Sequence, residues 1–114
     1  MTSYNVLITP DAEADLIEID DYITLTLQAP DTAVHFLNMV KMRLLSLQNN
    51  PGRYRLLEDE PWHSMGIHRM NIKSFAVFYT IIENQNEVYI QNVIYQKRDL
   101  EHILREIYSD SEDN

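Results

Sequence analysis

Residues 66–104, GIHRMNIKSFAVFYTIIENQNEVYIQNVIYQKRDLEHIL, decide the fold of this chain. The stretch reads as three short strands, near Ile67–Ile72, Phe75–Ile82 and Glu87–Tyr95, followed by a closing helix from Lys97 to Tyr108. The middle run, FAVFYTII, is apolar at every parity, the pattern of a central strand covered on both faces. Glu83-Asn84-Gln85-Asn86 supplies the turn chemistry for a hairpin. Strand periodicity places Arg69 with Asn71, opposite Met70 and Ile72. In the last strand it puts Val88, Ile90 and Ile94 on one face and Tyr89, Gln91 and Tyr95 on the other. The first set is expected against the helices, the second toward a more open surface.

Working outward, Tyr4–Thr9 (YNVLIT) is a strand stopped by Pro10. Thr9 and Pro10 together make a helix start, a capping hydroxyl followed by proline at the first helical position. Asp11 and Glu13 complement the dipole of the first turn. Ala12, Leu16, Ile19, Ile23 and Leu27 recur at helical spacing, giving one amphipathic helix to about Thr26. Pro30 opens a second, with Ala33, Phe36, Leu37, Val40, Leu44 and Leu47 on its apolar face. Asn49-Asn50-Pro51-Gly52 ends it. Arg53 to Met65 follows neither period and is expected to cross irregularly. The order is β-α-α-β-β-β-α: an α+β fold with an antiparallel sheet packed against an N-terminal two-helix hairpin. Residues 1–108 form the single domain, and the acidic 109–114 segment is expected to be a disordered tail.

At 114 residues with 45% apolar side chains, the chain suits one globular domain. It has no cysteine, so disulfides and thiolate metal sites are excluded. The N-terminus lacks the pattern of a signal peptide and no run has the length of a membrane span, so a cytoplasmic protein is expected. The net charge of −9 argues against generic nucleic-acid binding. The charge is unevenly placed, however. Residues 1–40 hold seven acids and no lysine or arginine, while residues 41–105 hold all nine cations against seven acids. A basic region within an acidic protein points to a binding surface.

Several motifs, taken in order, carry a family resemblance: a strand, Thr-Pro-acid-Ala, a helix hairpin, NNPGRYR, GIHRMNIKSFAVFYTI and VIYQKRDLEHIL. Together, over about residues 4–105, the chain resembles the RelE/ParE superfamily of type II toxins. The resemblance implies a small domain neutralised by a cognate antitoxin, with no cofactor and no membrane association. The assemblies it allows are a homodimer or a hetero-oligomer with the antitoxin. It also implies one of two activities: ribosome-dependent mRNA cleavage, as in RelE-like members, or inhibition of DNA gyrase, as in ParE-like members.

Metal-independent RNA cleavage needs cations for the charged phosphorane and an acid/base pair. The resemblance offers Arg69, Lys73 and Arg98 for the first role, and His102 or Tyr108 for the second. Two positions depart from the nuclease pattern: Leu104 stands where a tyrosine is expected, and Ala76 about where an arginine is. YQKRDLEHIL looks more like the ParE side, on which Arg69, Lys97, Arg98 and Tyr95 would contact a protein target. Bland readings compete with both: Arg69 and Arg98 as surface partners of Glu58, Asp59, Glu60 or Asp99, and Trp62 as a plug over the core edge. The four histidines have no metal-ligand spacing. With two glycines in the chain, there is no phosphate-cradling loop. The expectation is therefore a ParE-like toxin acting on a protein. The alternatives are a RelE-like endoribonuclease, or a toxin fold that has lost toxicity and serves as a binding partner.

Overall fold

The computed structural model describes residues 3–72 and 75–95. Within them the elements are β1 (Asn5–Ile8), α1 (Pro10–Asp21), α2 (Pro30–Leu45), β2 (His68–Ile72), β3 (Phe75–Ile82) and β4 (Glu87–Tyr95). The expected closing helix and acidic tail lie outside the described residues, as do Lys73, Lys97, Arg98, His102 and Tyr108.

The first helix starts as its sequence dictates. Thr9 Oγ1 accepts the Ala12 amide at 3.3 Å and donates to the Ile90 carbonyl at 2.7 Å, so one hydroxyl caps α1 and fastens it to the sheet. Thr9→Ala is expected to cost about 1 kcal/mol, read as a lower urea midpoint at unchanged slope. After Asp21 the helix widens into a π-helical turn over Tyr22–Thr26, closed by the Leu27 amide on the Tyr22 carbonyl at 3.0 Å. Gln28 then takes a left-handed conformation (φ 52°) and the chain reverses into α2. Beyond α2, Arg53 returns as a cap, its guanidinium donating to the Asn49 carbonyl at 2.5 Å and to Asn50 at 3.2 Å.

Both helices lie on one face of a four-stranded sheet of order β1-β4-β3-β2. Ala12, Leu16, Ile19 and Ile23 from the first helical segment, and Ala33, Phe36, Val40 and Leu44 from α2, bury against Met70, Phe75, Val77, Tyr79, Val88 and Ile90. The antiparallel reading holds for β2, β3 and β4, but β1 runs parallel to β4, pairing Asn5–Ile8 with Glu87–Ile90. A parallel neighbour needs a long crossover, and the helix hairpin plus the crossing segment provide it. Local pattern cannot state that pairing, because nothing between residues 9 and 86 forms a tight turn linking β1 to β4.

One residue changes the face assignments in β4. Tyr79 pairs with Ile90 but Phe78 pairs with Asn92, so Gln91 is an extra residue, a β-bulge. Parity flips beyond it. Val93 turns to the core at 2% exposure, and Ile94, expected in the core, stands 53% exposed on the other face. Tyr95, expected on the open surface, instead packs on the helix side. Its ring lies 6.5 Å from Tyr22 and 5.8 Å from Phe75, centroid to centroid.

The bulge has an anchor. β1 ends at Ile8, which leaves the outer edge of β4 uncovered past Ile90; there Asp15 of α1 accepts the Val93 amide at 2.9 Å. Asp15→Ala is expected to destabilise by about 1 kcal/mol through the orphaned amide. Asn, which keeps an acceptor, should recover most of that in thermal melts.

Candidate functional site

The face of the sheet opposite the helices is open. The expectation that β3 is covered on both sides holds only in part: Val77 and Tyr79 are fully buried, while on the other face Ala76 is buried but Phe78 and Thr80 are half-buried. The crossing segment arches beside this face. It is stitched to β2 by the Leu57 amide on the Ile67 carbonyl at 2.8 Å and the Arg69 amide on the Arg55 carbonyl at 3.0 Å. Gly66, at φ +75°, makes the turn back into the sheet. The result is a concave groove of about 630 Å³.

Its floor is Phe78 and Thr80 of β3 with Gln91 and Asn92 of β4. Its walls are Trp62 and Met65 from the crossing segment and Ile94 beyond the bulge, all three largely exposed. Trp62 therefore lines the groove and does not plug the core edge. Gln91 Nε2 donates to Thr80 Oγ1 at 3.1 Å within the floor, and Asn92 Nδ2 donates to Asp15 Oδ2 at 3.4 Å.

Among the described residues, three charged side chains line the groove. Arg69 lines it with its guanidinium 5.7 Å from the centre of the Phe78 ring, and Nε donates to Asn71 Oδ1 at 3.0 Å. That places Arg69 and Asn71 on one face, as the periodicity predicts, and gives the guanidinium an aromatic and an amide partner where acidic ones were considered. Glu58 and Asp59 line the same groove. Their carboxylates have no hydrogen bond or ion pair among the described residues, whereas Glu60 is engaged. Its carboxylate accepts both the amide and the hydroxyl of Ser64, and those two hydrogen bonds hold it below the usual carboxylate range.

Both histidines near the groove serve the scaffold. His63 Nδ1 lies 2.8 Å from the Leu57 carbonyl and His68 Nδ1 2.8 Å from the Tyr54 carbonyl, with the His68 ring stacked on Tyr79 at 5.1 Å. Tyr95 has a buried hydroxyl with no hydrogen-bond partner among the described residues. Burial, and then the carboxylates of Glu18 and Asp15, push its pKa above the ordinary phenol value. Among the described residues no three of His, Asp and Glu gather closely enough to hold a metal ion, and no helix is long and apolar enough to cross a membrane.

Of the residues singled out from the sequence, the structure brings Arg69 to the groove and takes Tyr95 away from it. Lys73, Lys97, Arg98 and His102 lie outside the described residues. Sequence reasoning missed the groove itself: Phe78, Met65 and Ile94 read as core or linker, and Glu58 and Asp59 as ordinary surface. The run of three acids, Glu58 to Glu60, just before Pro61 and Trp62 was the available signal.

A two-helix layer on one face of a four-stranded mixed sheet is a fold this chain shares with solved toxin–antitoxin structures. The fold is similar to that of one chain in the toxin–antitoxin complex RelBE2 from Mycobacterium tuberculosis, with a TM-score of 0.61 at 21% identity over 84% of this chain and 94% of that chain. It is similar to the chromosomal ParDE system of P. aeruginosa, at 0.65 and 19% over 83% and 98%. A free-state arginine-to-alanine double mutant of E. coli RelE matches at 0.55 and 13% over 85% and 87%. No curated protein sequence matches. Residues 6–100 match the family of the ParE toxin of type II toxin–antitoxin systems, parDE, and the chain belongs to that family.

Proposed function

We propose that this chain is a ParE-like toxin that arrests growth by binding a protein target, DNA gyrase, and that a cognate antitoxin neutralises it. The observation that carries this reading is the make-up of the groove. Among the described residues its lining is half apolar (Leu57, Trp62, Met65, Ile67, Phe78 and Ile94), with the neutral polar Thr80, Gln91 and Asn92, one arginine and two carboxylates. Apolar and aromatic side chains plus an arginine are what protein interfaces use as anchors. A site for RNA would need several cations to offset phosphate charge, and Glu58 and Asp59 work against that.

The test is a gyrase supercoiling assay titrated with purified protein, run beside coupled translation of a reporter mRNA. Lost supercoiling with intact mRNA is expected. Arg69→Ala should weaken inhibition by roughly 30-fold, the size of an interface hot spot, with an unchanged melting curve. Cut mRNA with normal supercoiling would overturn the reading in favour of a RelE-like nuclease, in which Arg69, Lys73, Arg98 and His102 would be the residues to vary. Neither effect from folded protein would leave a fold retained for binding without toxicity. Co-expression with a cognate antitoxin should restore growth and yield a co-purifying complex.

A further inference from the structure

We propose that the groove recognises a segment of a partner protein in which an aliphatic or aromatic anchor lies beside a lysine or arginine. The proposal rests on the protein-target reading for the nature of the partner and adds the chemistry by which that partner is read. Three observations support it. First, exposed apolar groups converge on this one concavity: Trp62, Met65 and Ile94 are respectively 48%, 62% and 53% exposed and share it with the half-buried Phe78. These are residue types that form the buried centres of interfaces.

Second, the groove is charge-asymmetric. Arg69 is held by Phe78 and Asn71, leaving Glu58 and Asp59 as adjacent carboxylates without a partner among the described residues. A cation entering with an apolar anchor would meet both, while an acidic segment would be repelled. Third, the neighbouring Glu60 is tied into the turn by Ser64. The turn therefore fixes the backbone that carries Glu58 and Asp59, so the ordering cost on binding is confined to their side chains. The volume of about 630 Å³ accommodates a few side chains, the scale of a short peptide segment.

Trp62 is the chain's one tryptophan, so its emission reports on the groove directly. The full chain, immobilised, is panned against a random peptide library displayed on phage, and winning peptides are synthesised and titrated in solution. Winners are expected to pair Leu, Phe or Trp with an adjacent Lys or Arg and to shift Trp62 emission. The double variant Glu58→Gln/Asp59→Asn should weaken them by roughly five- to tenfold, the sum of two rim charge pairs. It should melt like the parent, since neither carboxylate holds a described neighbour. Ile94→Asp should abolish binding. Winners without a basic residue, basic winners indifferent to the double variant, or binding that leaves Trp62 emission unmoved would overturn the proposal. So would Trp62 emission that shifts with protein concentration alone, with matching dimerisation in sedimentation, because a second copy would then be the occupant. Peptide recognition and supercoiling are read separately, so failure of the gyrase assignment leaves this result standing, and the converse holds.

Discussion

Phe75→Ala is expected to lower the unfolding free energy by about 3–5 kcal/mol, the largest effect of any single substitution proposed for this fold. Phe75 opens β3 at 1% exposure, where α2, β2 and β4 meet. Its ring lies 4.9 Å from Phe36 of α2 and 5.8 Å from Tyr95, both tilted, the geometry in which aromatic quadrupoles attract. In register it faces Ile72 on one side and Tyr95 on the other. Truncation removes the transfer energy of the ring and leaves a cavity between a helix and a sheet that cannot close on each other without shifting the hairpin. Small domains hold about 5–15 kcal/mol in total, so the variant loses a large share of its stability. Urea melts should show the midpoint falling at unchanged slope. Phe75→Leu should lie between parent and Ala. A loss below about 1 kcal/mol for Ala would mean that the aromatic cluster is peripheral to the core.

The same cluster shows what sequence could and could not deliver. The strands, both helices and the turn at Glu83–Asn86 were legible because each is written in local chemistry: Thr9-Pro10, Asn49-Asn50-Pro51-Gly52, and alternation through HRMNI. The faces of β4 were legible only as far as Gln91. A bulge inserts one residue without any obligatory sequence mark, and every face assignment after it inverts. That single event took Tyr95 off the open surface and put Ile94 there. The parallel docking of β1 was hidden for a different reason, since it joins residues some eighty positions apart. The groove was hidden for two reasons: the bulge supplies its Ile94 wall, and the irregular crossing segment, which has no period to read, supplies the other. Arg69 was found because it lies on a strand with regular alternation, ahead of the bulge.

Tyr79→Phe is expected to cost about 1–3 kcal/mol near neutral pH and to flatten the alkaline loss of stability. The ring is fully buried in β3 and its hydroxyl donates to the Pro51 carbonyl at 2.6 Å, joining the sheet to the loop that ends α2. Without the hydroxyl that carbonyl loses this donor. The same burial pushes the phenol well above its ordinary value, aided by the nearby Tyr54 phenol and opposed by Arg53. The sign follows from proton counting. Below about pH 10, the unperturbed phenol value, folded and unfolded chains both keep the proton and the full contribution is present. As pH rises past that value the unfolded chain releases its proton first, so the folded state binds more protons and stability falls with pH until the folded pKa is reached. The Phe variant has no such proton to lose. Tyr4, Tyr89 and Tyr95 are also raised and remain in both chains, so some alkaline slope persists in the variant. Urea melts from about pH 7 to about pH 11 should show the stability gap between parent and variant steady up to about pH 9 and narrowing above it. A gap that stays constant across the range would contradict a neutral phenol sequestered beneath Pro51.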